Sequence, residues 1–142
     1  MIDAFHLTLG FFSSLLVSFM SADLLFPDSD KSDARRWREM WRFVAYLPWL
    51  CKEIILSTIY VAYLSIHPRM EELIEPQVIN FHTRIKGEIG QVVFANSITL
   101  TPGTITIQEE NGDFLVHALS RKTAESLPGE MEERLLRIFG EE

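Results

Sequence analysis

Cysteine is almost missing from this chain: Cys51 is the only one. An internal disulfide is therefore excluded, and so are zinc sites built on four cysteines or on two cysteines with two histidines. A lone cysteine inside an apolar run reads as a small buried hydrophobe. A surplus of basic residues is missing too. Thirteen Lys and Arg face twenty Asp and Glu, for a formal net charge of −7. Nucleic acid is excluded as a partner, because binding it takes a basic face that displaces counterions from phosphates. Catalytic signatures are also lacking. No G-x-S-x-G, G-x-x-x-x-G-K or G-x-G-x-x-G occurs. The four histidines, His6, His67, His82 and His117, show no metal-binding spacing such as i,i+4. His82 and His117 fall on predicted strands and could meet across a sheet, but a third ligand is missing, and ordinary surface histidines account for both. No catalytic residue, metal site or cofactor is expected.

What the chain does have is unevenly distributed. The mean hydropathy of +0.10 averages two unlike halves. Residues 1–66 are 59% hydrophobic and residues 67–142 are 37%. The charge divides as −1 and −6 across the same boundary. The expected organisation is a membrane anchor over 1–66, with two hydrophobic helices at about 4–26 and 37–66, followed by a small soluble α+β domain over 67–142.

Ala4 to Ala22 is nineteen residues without a formally charged side chain. As a helix it would be about 28 Å long, close to a bilayer core. A signal peptide would carry a basic leading region, and the early charge here is Asp3. Phe43 to Ile66 is the second apolar stretch, interrupted at its centre by Lys52-Glu53. All three tryptophans and all three tyrosines lie between positions 37 and 63. Trp41 and Tyr63 are 22 residues apart, or about 33 Å along a helix, the separation of two interfacial aromatic belts. Ionisable residues at mid-membrane cost roughly 2.5–3.5 kcal/mol each. Helix neighbours do not face each other, so Lys52 and Glu53 each call for a partner. Arg42, Tyr46, Trp49, Glu53, Ser57 and Tyr60 recur at helical spacing as one polar-aromatic stripe. Two placements are open. A spanning helix would turn that stripe, with Lys52, Glu53 and Ser57 as intramembrane contacts, toward other subunits. An amphipathic helix in the interface would turn it toward the headgroups. The basic cluster Lys31, Arg35, Arg36, Arg38 and Arg42 would place the connecting loop in the cytoplasm and both termini of a hairpin outside.

The second half reads as β-α-β-β-α, a three-stranded sheet with helices on one face. His67 to Pro76 is a linker. Ile79, Phe81 and Ile85 alternate with Asn80, His82 and Arg84 as a strand. A short helix is read within Gly87 to Leu100. Thr104 to Glu110 and Asp113 to Leu119 are two strands joined by Asn111-Gly112, the strongest short hairpin signal. Counting back from that turn pairs Ile107 with Val116, Ile105 with Ala118 and Thr106 with His117. From Ser126 a helical period sets in, with Met131, Leu135 and Ile138 on one stripe and Gly140 closing the helix. In Thr101-Pro102-Gly103-Thr104, Pro then Gly is type II turn chemistry. A structural turn and a binding loop both remain open for it.

The run Phe94-Ala95-Asn96-Ser97-Ile98-Thr99-Leu100-Thr101-Pro102-Gly103-Thr104 closely resembles the E subunit of Mrp-type multisubunit Na+/H+ antiporters (the MnhE/MrpE family). Lys52-Glu53 with Ser57, Val61 and Ala62, and Val116-His117-Ala118-Leu119, match the same family in the same order. The resemblance covers roughly Trp41 to Leu119. It implies a bacterial or archaeal inner-membrane, multi-pass subunit that is accessory and non-catalytic, needed for assembly or full activity, with a cytoplasmic C-terminal domain. That side is opposite to the one the basic loop implies for a hairpin. Partners would be the large complex I-related subunits, small membrane subunits and the lipid bilayer. Asn96, Thr99, Thr101, Pro102, Gly103 and Thr104 would form a docking turn. Members usually begin with a further hydrophobic segment ahead of the one seen here. An equivalent subunit of a membrane-bound hydrogenase-like or other complex I-related ion-pumping complex is the alternative setting, and a membrane-anchored binding module is another.

Overall fold

The computed structural model describes residues 4–25 and 33–139. The chain forms two compact units, residues 1–36 and 37–142. In the first, helix α1 (Ala4–Leu25) follows the uncharged run for 22 residues. Its apolar side chains from Leu9 to Met20 are exposed all round, as expected of a helix whose solvent is not water.

The second unit begins within helix α2 (Asp33–Ile66), 34 residues long with Pro48 inside it. Among the described residues, the segment Trp37–Ile66 is the one long and apolar enough to cross a membrane, and Thr8–Ser21 of α1 is a shorter apolar run. The boundary that composition draws at Ile66/His67 is not a boundary in packing, since α2 shares a compact unit with everything after it. Beyond α2 come a single helical turn α3 (Met70–Leu73), strand β1 (Gln77–His82), helix α4 (Glu88–Leu100) and strands β2 (Thr104–Glu110) and β3 (Asp113–Ala118). Helices α5 (Arg121–Glu125) and α6 (Gly129–Phe139) complete the unit. The final helix expected from Ser126 is α6 and starts at Gly129, while α5 is a short helix that periodicity did not indicate, with the Ser120 side chain accepting the Thr123 N–H at its start. Gly140 lies outside the described residues.

The sheet is antiparallel in the order β1-β3-β2. Asn111 (φ 52) and Gly112 (φ 87) make the mirror-image turn that suits the twist of a two-residue hairpin. Near the turn the expected register holds, with Glu110 opposite Asp113 and Gln108 opposite Leu115. Beyond Gln108 it is corrected. Ile107 is bulged out, so Thr106 faces Val116, Ile105 faces His117 and Thr104 faces Ala118. One extra residue reverses the two faces of the strand beyond it. Thr104 and Thr106 turn inward, and Ile105 and Ile107 are exposed.

The core gathers Ile85, Phe94, Ile98, Phe114, Val116, Leu135 and Ile138, and α2 contributes Tyr46 and Leu50 to it. Phe81 stacks on Phe114 at 5.6 Å, and Phe94 closes against Phe114 at 5.1 Å. At Gly90 a Cβ would come within 2.6 Å of the Ile85 side chain, so α4 packs close to that turn because it carries glycine there.

Candidate functional site

The polar-aromatic stripe of α2 faces protein, and that protein is its own chain. Arg42 donates to the Arg137 carbonyl at 3.0 Å. Tyr46 and Leu50 are buried. Trp49 lies under the Arg134 guanidinium at 4.5 Å. One end of the helix is therefore held by α6. Further along, the Tyr60 hydroxyl is 3.3 Å from Ser120 Oγ, with Lys122 over its ring at 4.6 Å, so α5 holds the other end. Leu64 is buried beyond it.

Lys52, Glu53 and Ser57 sit at the centre of this helix. Lys52 and Glu53 come closer to each other than sequence adjacency suggests. Lys52 Nζ lies 3.7 Å from Glu53 Oε1, with side-chain exposures of 65% and 33%. The flexible lysine stem can bend around the helix to its neighbour, where a splayed pair of shorter side chains could not. A pair so exposed contributes at most about 1 kcal/mol. Ser57 Oγ donates to the carbonyls of Glu53 (2.7 Å) and Ile54 (3.0 Å), which satisfies it within the helix. Both charged groups keep accessible surface for a contact outside the chain.

The turn after α4 is tightly tied. The Thr104 N–H donates to the Thr101 carbonyl at 3.2 Å, and Gly103 has φ 96, as a type II turn requires at its third position. Thr101 Oγ1 donates to the Ser97 carbonyl, and Thr104 Oγ1 to those of Ile98 and Thr101. Thr99 Oγ1 donates to the Ala95 carbonyl and accepts the Thr106 N–H. Each of these threonines thus has a backbone partner in the same unit. A Cβ on Gly103 would lie 3.3 Å from Val61 Cγ2 of α2, so Pro102-Gly103 seats the turn against α2. Asn96 is exposed on α4.

A second polar cluster escaped sequence reasoning. Glu132 is buried and accepts from Thr83 Oγ1 and the Arg84 N–H, both at 2.8 Å. The Arg84 guanidinium adds two bonds at 3.0 and 2.8 Å. Burial would raise the Glu132 pKa, but the Arg84 backbone and side-chain bonds and the Thr83 bond outweigh it and hold the carboxyl below its ordinary value. The cluster ties the end of β1 to α6. Its one sequence signal is that Glu132 follows Met131 and so falls on the edge of the α6 apolar stripe. His82 and His117 stay apart: His82 Nδ1 lies 2.8 Å from Asp113 Oδ1, and His117 is opposite Val78 and Ile105. Among the described residues, no three His, Cys, Asp or Glu side chains converge as metal ligands.

These features describe a class: a small α/β module built onto one face of a long apolar helix, with a separate apolar helix before it. Comparison with known proteins specifies it further. The family described as MNHE, Na+/H+ ion antiporter subunit, matches residues 2–138. The chain belongs to that family. It is similar to the E subunit of the Na(+)/H(+) antiporter of Alkalihalophilus pseudofirmus, 27% identical over 92 residues, or 63% of this chain and 57% of that one. The match thus spans little more than half of that relative. Among solved structures, a chain of the membrane-bound sulfane sulfur reductase, an archaeal respiratory membrane complex, superposes with a TM-score of 0.67 at 25% identity. The superposition covers 97% of this chain and 87% of that one. A chain of the Mrp complex from Dietzia sp. DQ12-45-1b gives a TM-score of 0.47 at 22% identity, over 70% of this chain and 94% of that one.

Proposed function

We propose that this chain is a non-catalytic accessory or assembly subunit of a multisubunit Na+/H+ antiporter complex in a bacterial or archaeal cell membrane, with its α/β module on the cytoplasmic side. The family match across residues 2–138 carries the reading. Partners are the large complex I-related subunits and small membrane subunits of that complex. Lys52 and Glu53, whose side chains keep accessible surface at the centre of α2, supply contacts to them. The turn at Thr99–Thr104, with Asn96 beside it, docks the module on the complex.

Purification through a C-terminal tag in mild detergent, with identification of the co-purifying chains, tests the assignment. Large antiporter subunits are expected. Respiratory-complex subunits would instead establish the second reading, an equivalent subunit of a related ion-pumping complex, which the superposition on the sulfane sulfur reductase chain favours. Recovery of the chain alone would sink both. Glu53→Gln or Lys52→Met is expected to lower complex yield or Na+/H+ exchange. If neither quantity changes, those two residues are not subunit contacts.

A further inference from the structure

The two sides of α2 differ completely. On one side the module covers the helix from Arg42 to Leu64, with Tyr46, Leu50 and Leu64 at 3%, 6% and 2% exposure. That covered length is about 33 Å, the full thickness of a hydrocarbon core. On the other side, a stripe at helical spacing runs from Trp37 and Trp41 through Val44, Ile55 and Ile59 to Ile66, all exposed. Pro48, Cys51 and Ala62 fill the remaining rows of that stripe and are exposed as well, which corrects the expectation that Cys51 is buried. No row of it carries a charge.

A helix that crosses a bilayer is surrounded by lipid, or by partners as apolar as lipid. Here the covering partner is a water-facing module whose half of the chain carries −6. Its charged groups touch α2 within the covered length, Arg134 at Trp49 and Lys122 at Tyr60. If α2 spanned, those charges would enter the hydrocarbon with it. An interfacial orientation removes the conflict, because one side of the helix then meets water-facing protein and the other meets acyl chains. Lys52, one residue round from Cys51, sits at the stripe's margin. From there its stem can reach an anionic headgroup while its backbone stays at the apolar boundary.

We infer that α2 lies flat in the membrane surface, its Trp37-to-Ile66 stripe in the outer acyl layer of a lipid bilayer and its module on the water side. This deepens the membrane placement proposed above and does not depend on which ion-translocating complex the chain joins. The test is depth measurement on the full-length chain reconstituted in vesicles of phosphatidylethanolamine and phosphatidylglycerol. A nitroxide on native Cys51 requires no substitution. Further labels go on Val44→Cys, Ile59→Cys and Ile66→Cys, each in a Cys51→Ser background. Collision rates with oxygen and with a water-soluble nickel chelate report depth. The expected result is one shared depth for all four sites, about 5–10 Å below the headgroups. Depths that peak near residue 51 and shallow toward both ends would overturn the inference in favour of a spanning helix. Uniform exposure to the chelate would overturn it, because the stripe would then lie in water and not in the acyl layer. Either result would leave the co-purification outcome untouched, so the two readings fail separately.

Discussion

Glu132 shows how a single side chain can carry acid sensitivity. Its folded pKa lies below the ordinary value, so the folded state takes up the proton less readily than the unfolded one. The stability it contributes is complete above the unfolded pKa and is lost as pH falls through the folded one. Glu132→Gln is expected to cost about 1.5–3 kcal/mol at neutral pH, since a charged acceptor of several bonds is lost. The variant should also lose part of the acid-side slope of stability. Denaturant titrations of both proteins between pH 3 and 7 in mild detergent measure this, and an unchanged slope would show that the clamp does not set it. Gly103 works at the same scale through backbone geometry. Gly103→Ala forces a side chain into φ 96 with Val61 close by, and a loss of about 1–2 kcal/mol in thermal or denaturant unfolding is expected.

At the scale of elements, β2 and α2 each present two faces that composition does not distinguish. The bulge at Ile107 turns Ile105 and Ile107 outward, so Ile105→Thr and Ile107→Thr should each change stability by no more than about 0.5 kcal/mol. A larger loss would mean that the unbulged register, with both isoleucines inward, is the real one. On α2, Leu50→Ala should cost about 2–5 kcal/mol because it opens the shared core. Ile55→Ala and Ile59→Ala, on the exposed side, should leave module stability nearly unchanged. Hydrogen-exchange protection of α4 and α6 separates the two cases residue by residue.

For the whole molecule, packing places the division at Arg36/Trp37. A fragment of residues 37–142 in detergent should therefore unfold cooperatively. One of residues 67–142 should not, since it loses Tyr46 and Leu50 from its core and leaves a 76-residue remnant with a thin interior. Cooperative unfolding of the shorter fragment would restore the compositional boundary.

Several features needed only local information and were legible in the sequence. The apolar run of α1 is set by continuous hydrophobicity. The hairpin turn is set by Asn111-Gly112, the type II turn by Pro102-Gly103, and the inward face of β1 by alternation, because each depends on neighbours within a few residues. The Ala-Asn to Thr-Pro-Gly-Thr run likewise identified the family. Other features depend on residues far apart in the chain. Periodicity shows that α2 has a polar-aromatic stripe but not what covers it, and α5, α6 and the Gly103 turn do so from 40 or more positions away. A bulge adds one residue without altering composition, so the count from the turn fails beyond Gln108. Glu132 is acidic in a tail rich in acids, and only the convergence of Thr83 and Arg84 makes it a buried acceptor. Tertiary structure decided these points, because burial and pairing belong to residues brought together by folding and leave no trace in local spacing.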